Sequence, residues 1–132
     1  MITRIDHIGI AVCSLDETIP VYTVGLGLKV DHIEEIADQG TRIAMLPVGE
    51  SRLELLEATD KDSPIARFIA KRGEGMHHVC FRVEDIQKEM EMLKAAGVRM
   101  IDEVPRSGAD GCLVAFVHPS STGGVLIELS QR

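Results

Sequence analysis

The sequence predicts an α+β fold: two tandem βαβββ modules whose curved mixed sheets enclose a shared cavity. Three observations predict it. "IDHIGIAV" at 5–12 returns as "MHHVCFRV" at 76–83, an offset of 71, so Ile5 meets Met76, His7 meets His78 and Ile8 meets Val79. Leu15, Ile19 and Tyr22 fall on one helical face, and Ile86, Met90 and Leu93 follow at the same offset. "TRIAMLP" at 41–47 then matches "CLVAFVH" at 112–118, and "RLELLE" at 52–57 matches "LIELSQ" at 126–131, shifted to 74 by the longer loop "PSSTGG". A repeat of this length is one supersecondary unit used twice.

The elements follow in order. Module one, about 1–58, has strands near 2–12, 28–36, 41–47 and 51–57. Its helix opens on a capping box, Ser14 with Glu17 three residues on, and ends near Gly25–Gly27. Pro20 falls inside it and predicts a kink or a later start, because proline lacks the N–H and crowds the preceding turn. A connecting helix covers about 63–73. Ser63 caps it, Pro64 suits its first position, Ile65, Phe68 and Ile69 form its apolar face, and Gly73 stops it. Module two, about 75–132, has strands near 76–83, 98–103, 112–118 and 125–130, with a helix from Asp85 to Gly97. The 132 residues thus make one domain, 1–132.

Composition narrows the function. Apolar residues at 45% support a real core, and aromatics at 3% make it aliphatic and speak against stacking on nucleic-acid bases. A net charge of −7 also disfavours nucleic acid, although Lys71 and Arg72 could hold one small anion. Cys13, Cys80 and Cys112 form no CxxC pair and suit a reducing compartment. No apolar run reaches membrane-spanning length, and Asp6 and His7 interrupt the stretch a signal peptide would need. The expected location is cytoplasmic, with no membrane partner.

The duplication also aligns chemistry. Neighbours on a strand point to opposite faces, so His7, Gly9 and Ala11 share one face while Ile8, Ile10 and Val12 share the other. The first set reads as a cavity lining. His78 is the partner of His7 in the repeat and is the expected ligand; His77 matches Asp6 and should turn away. Glu54 likewise matches Glu128. A lone strand histidine is more often structural than a ligand, but two in register with two glutamates are not independent accidents. His7, Glu54, His78 and Glu128 together suit a borderline divalent cation such as Co²⁺, Ni²⁺, Mn²⁺, Fe²⁺ or Zn²⁺ better than Ca²⁺ or Mg²⁺. His32 and His118 have no repeat partners and read as surface or loop residues, and Cys80 reads as packing. "KRGEG" follows a helix instead of opening one, so it is no phosphate loop.

The two-fold βαβββ pattern with paired His and Glu resembles the vicinal oxygen chelate superfamily, which includes glyoxalase I, ring-cleaving dioxygenases and fosfomycin resistance proteins. "DHIGIAV", "DSPIARFIAKRGEGMHHVCFRVEDI" and "HPSSTGGVLIEL" are similar to the methylmalonyl-CoA epimerases over nearly the whole chain. That resemblance implies a cation on His7, Glu54, His78 and Glu128, Co²⁺ first, with Ni²⁺, Mn²⁺ or Zn²⁺ as alternatives. It implies interconversion of (R)- and (S)-methylmalonyl-CoA by C2 proton transfer through a metal-stabilised enolate, with Glu128 and Glu54 as the candidate proton carriers. It further implies an acyl-CoA substrate, with local basic help from Lys71, Arg72 or Arg106, and a homodimer. One position departs. Several such epimerases carry a glutamate where this chain has Ile43, and isoleucine moves no proton. The alternative reading is a lactoylglutathione lyase of the glyoxalase I type, which uses the same ligand set on a glutathione thiol. A binding module of this fold would need no intact ligand quartet, and a ring-cleaving dioxygenase would use a His, His, Glu triad with iron.

Overall fold

A computed structural model describes all residues, 1–132. Its elements are β1 (Ile2–Ala11), α1 (Leu15–Pro20), β2 (His32–Ile36), β3 (Thr41–Val48), β4 (Ser51–Ala58), α2 (Pro64–Arg72), β5 (Gly75–Val83), α3 (Ile86–Ala95), β6 (Arg106–Ser107), β7 (Leu113–Val117) and β8 (Ile127–Gln131). The strand order is β2-β3-β4-β1-β5-β8-β7-β6, a mixed sheet accompanied by three helices, which is the expected α+β class. The chain divides into two compact units, a continuous one (Ile8–His77) and a split one (Met1–His7 with His78–Arg132).

In the continuous unit β2, β3 and β4 pair antiparallel. Residues opposite each other across a ladder point the same way. The register sets Ile43 beside Leu56 and Glu34, and Met45 beside Glu54 and His32. The alternate positions, Ala44, Leu46 and Leu55, join Val12 and Leu15 in a buried core with Ile10, Ile19, Tyr22 and Leu53 against it. Each fully buried leucine there contributes about 1.5–3 kcal/mol. One face is therefore committed to helix packing, and Ile43, Met45, Glu54 and Leu56 lie on the other.

Helix α1 starts where its cap says it should: Glu17 N–H donates to the Ser14 hydroxyl at 3.2 Å. Pro20 does not delay that start. Instead the pitch widens after it into a π-helical turn at Val21–Gly25, with Leu26 N–H reaching back five residues to the Val21 carbonyl at 3.1 Å. Helix α2 has the predicted punctuation. Ala66 N–H donates to the Ser63 hydroxyl, Pro64 opens the helix, and Gly73 leaves it at φ 78°, a left-handed value that favours glycine.

In the split unit β5 runs parallel to β8, β8 antiparallel to β7, and β7 antiparallel to β6. Its core joins Val83, Ile86, Met90, Ala115 and Leu129 with Phe81, Leu93, Met100 and Ile127. Asp85 caps α3 by accepting the Lys88 N–H at 3.1 Å.

Two predicted strands are shorter than expected. Of 28–36 only His32–Ile36 is strand; Leu28 and Val30 sit against the core without joining the ladder, and Asp31 N–H makes a single bond to the Met45 carbonyl. Of 98–103 only a bridge at Met100 remains, opposite Val117. The cause is chemical: the Phe116 N–H goes to the Asp102 carboxylate at 2.7 Å, so a side chain takes a donor the ladder would use. Pairing with β7 resumes at Arg106–Ser107.

Candidate metal centre

Three strands of the split unit supply the site. His7 ends that unit's segment of β1, His78 lies in β5, and Glu128 lies in β8 opposite Cys80. Alternation along β5 puts His78 and Cys80 on one face, and the registers extend that face to Glu128 and on to Phe116 in β7. All three predicted ligands are buried.

The geometry of the two imidazoles is specific. His7 Nδ1 lies 2.7 Å from the Asp6 carboxylate, which itself receives the Arg82 guanidinium through Nε at 2.9 Å and through Nη2. A carboxylate accepts only, so it fixes the proton of His7 on Nδ1. His7 Nε2 then presents a lone pair. That lone pair faces His78 Nε2 at 3.1 Å and Glu128 Oε1 at 3.1 Å, with His78 Nε2 3.8 Å from the same oxygen. A cation at their meeting point would be held by that lone pair, His78 Nε2 and the Glu128 carboxylate. Two nitrogens at ~2.1 Å from a common cation with a right angle between them would be about 3 Å apart. The donor set therefore fits a divalent cation.

Burial alone would raise the Glu128 carboxyl. The adjacent His7 and His78 rings outweigh it and hold Glu128 below its ordinary value. Cys80 behaves oppositely. Burial pushes its thiol well up, the hydrogen bond with His7 only partly opposes that, and the Glu128 charge adds to it. Its sulfur lies within 4.8 Å of the Asp6 and His7 donor atoms, but a protonated thiol is a poor ligand.

The other expectations place as follows. Glu54 is a residue of the continuous unit, buried on β4 beside Met45. His77 turns its ring edge to Phe68 of α2, with centroids 4.9 Å apart. His118 accepts the Ser120 N–H through Nδ1 and caps a short turn. His32 lies on the same face of its sheet as Glu54, which a surface-or-loop reading does not anticipate. Sequence reasoning missed Asp6 and Arg82. Strand alternation sends Asp6 to the far face, but that rule fixes where Cβ points and not where a carboxylate tip reaches. The available signal was an acid next to the candidate histidine in "DHIG", with an arginine in the matching strand.

Comparisons with known proteins identify the fold and the family. Residues 6–116 match the model of the Glyoxalase/Bleomycin resistance protein/Dioxygenase superfamily. The chain is 37% identical to the ethylmalonyl-CoA/methylmalonyl-CoA epimerase of Cereibacter sphaeroides, over 99% of each chain. The crystal structure of methylmalonyl-CoA epimerase from Mycobacterium tuberculosis superposes with a TM-score of 0.94 at 39% identity, covering 98% of this chain and 88% of that one. A Streptomyces coelicolor methylmalonyl-CoA epimerase variant, solved in complex with 2-nitronate-propionyl-CoA, superposes with a TM-score of 0.95 at 41% identity over 99% of this chain and 95% of that one.

Proposed function

The chain belongs to the methylmalonyl-CoA epimerase family of the glyoxalase/bleomycin resistance/dioxygenase superfamily, and from that premise we propose that it interconverts (R)- and (S)-methylmalonyl-CoA by moving the proton at C2. The observation that carries this reading is the buried meeting of His7 Nε2, His78 Nε2 and the Glu128 carboxylate within the split unit.

His7, His78 and Glu128 would hold the cation, and Glu54 is the fourth ligand of the proposal. Its support is its place in the repeat opposite Glu128 and its burial on β4. Cobalt heads the candidate ions, followed by Ni²⁺, Mn²⁺ and Zn²⁺, because nitrogen and carboxylate donors together suit these. A bound divalent ion supplies positive charge that lowers the cost of developing negative charge on a thioester oxygen.

The protein's own groups do the rest. Asp6 holds the His7 ring in one tautomer and one orientation, and Arg82 in turn holds Asp6. Phe116 lies edge-on to His78, with centroids 6.2 Å apart, and helps keep water away from that ring. Glu128, its pKa held low by its histidine neighbours, is the first carrier of the C2 proton. Coenzyme A brings negative charge, which Arg106, Lys71 and Arg72 can meet. Arg106 lies over the Phe116 ring at 5.2 Å, and Lys71 and Arg72 occupy the last turn of α2. We take the working assembly to be a homodimer in the cytoplasm. No helix is long and apolar enough to cross a membrane.

The test pairs metal analysis with two substrates. Purified protein should hold about one divalent ion per chain and exchange the C2 hydrogen of methylmalonyl-CoA in deuterium oxide. Turnover of the methylglyoxal–glutathione hemithioacetal in its place would move the reading to a lactoylglutathione lyase. Full activity in Glu128→Gln would remove Glu128 as a proton carrier.

A further inference from the structure

Within the split unit, two guanidiniums share the sheet face of the histidine–carboxylate centre. One register row runs through Cys80, Glu128 and Phe116 on β5, β8 and β7. The row beside it runs through Arg82, Ser130 and Val114 to Arg106 on β6. The alternate positions, Ala115 and Leu129, point the other way into the core with Ile86 and Met90 of α3. Arg82 is taken by Asp6. Arg106 has no such buried partner and stands on the Glu128 face, away from α3.

Arg106 is held on two sides. Its Nε lies 3.3 Å from one Asp102 oxygen, and the other Asp102 oxygen accepts the Phe116 N–H at 2.7 Å. Its guanidinium lies over the Phe116 ring at 5.2 Å, and that ring is edge-on to His78 with centroids 6.2 Å apart. One aromatic ring thus separates the guanidinium from a residue of the centre. The strand beneath is fixed as well. Gly108 N–H donates to the Cys112 carbonyl at 2.8 Å, and a Cβ at Gly108 would fall 2.6 Å from Val114, so glycine lets β6 close on β7. With Nε and one ring face engaged, the two terminal amino groups remain for a ligand, on a side chain that is 50% exposed.

We propose that Arg106 selects the dicarboxylic acyl group: its two terminal amino groups take the free carboxylate of methylmalonyl-CoA. The proposal rests on the epimerase reading above. A carboxylate meets the forked end of a guanidinium through two parallel charge-assisted hydrogen bonds, a geometry lysine does not reproduce. In the substrate that carboxylate is carried by C2, the same carbon that bears the thioester carbonyl. A thioester drawn to His7, His78 and Glu128 therefore keeps its carboxylate close by, on the face where Phe116 sets Arg106. The phosphates of coenzyme A lie at the far end of the pantetheine arm and match this position less well. Asp102 sharpens the choice by occupying Nε, so an anion must approach end-on. Because the guanidinium is already oriented, less side-chain freedom is lost when the carboxylate binds. An acyl-CoA without the second carboxylate gains nothing from it.

The experiment measures binding by calorimetry on metal-loaded protein, wild type, Arg106→Leu and Arg106→Lys. Malonyl-CoA and acetyl-CoA differ only in the carboxylate, and malonyl-pantetheine keeps the carboxylate without any phosphate. Arg106→Leu should weaken malonyl-CoA and malonyl-pantetheine alike by about 10–100-fold, and acetyl-CoA by less than about two-fold. Metal content should not change, and Arg106→Lys should recover part of the loss. An unchanged malonyl-CoA affinity overturns the proposal. So does an equal loss for both CoA esters, or a loss absent from malonyl-pantetheine, which assigns Arg106 to the phosphates. Loss of bound metal from Arg106→Leu overturns it too, by marking a structural role. Wild-type protein that leaves the C2 hydrogen of methylmalonyl-CoA unexchanged overturns the epimerase reading and the proposal with it; with an active wild type, the other results overturn the proposal alone.

Discussion

The site-bearing sheet faces of the two units, each taken by itself, differ in chemistry. The split unit's face is polar and braced: His7, His78 and Glu128 meet at 3.1–3.8 Å, and Asp6 and Arg82 stand behind them. The continuous unit's face is mostly aliphatic, with Ile43, Met45 and Leu56 around Glu54. Duplication made the two scaffolds alike, and the side chains then divided the work. The split unit acquired a network that orients its His7 ring, and the continuous unit an aliphatic setting for Glu54.

Substitutions can break this contrast in steps. The largest effect belongs to His78→Ala, which removes a donor of the braced face. Bound metal should fall below one ion per ten chains, and epimerisation by about 1,000-fold, the several kcal/mol a Lewis acid contributes. Elemental analysis and the C2 exchange assay read both; a fully loaded variant would take the centre away from His78. Next, Leu55→Ala opens the helix-side core of the continuous unit. It should cost about 2–5 kcal/mol in urea unfolding while the folded fraction keeps its metal.

A smaller effect separates bracing from ligation. Asp6→Asn leaves every donor in place but frees the His7 tautomer and strands Arg82, so metal affinity should weaken by about 10–100-fold in competition with a chelator. If affinity is unchanged, the Asp6–His7 contact is structural. The smallest effect belongs to a helix start. Ser63→Ala deletes the α2 cap and should lower stability by about 0.5–2 kcal/mol, with kcat unchanged.

Much of this was legible in the sequence, because a repeat exposes whatever its copies keep. The offset that aligns Ile8 with Val79 also aligns His7 with His78, so the strands and the histidines that meet emerge together. Helix starts were legible wherever a hydroxyl or carboxylate caps them, as at Ser14, Ser63 and Asp85. What stayed hidden depends on tips of side chains and not on periodicity. Asp6 reaches His7, Asp102 takes the Phe116 N–H, and Glu34 shares a face with Glu54 only once the β2–β3 register is known. No pattern of apolar residues contains that information.

The Asp102 contact has a consequence beyond local pairing. Sheet borders with long rows of free amides and carbonyls recruit strands from other molecules, the route to fibrils. Here the bordering segment offers two ladder residues, Arg106 and Ser107, and Asp102 has silenced the Phe116 donor of the neighbouring strand. Concentrated solutions of the protein should therefore resist cross-β growth from that border, and Asp102→Ala would hand a foreign strand its first foothold.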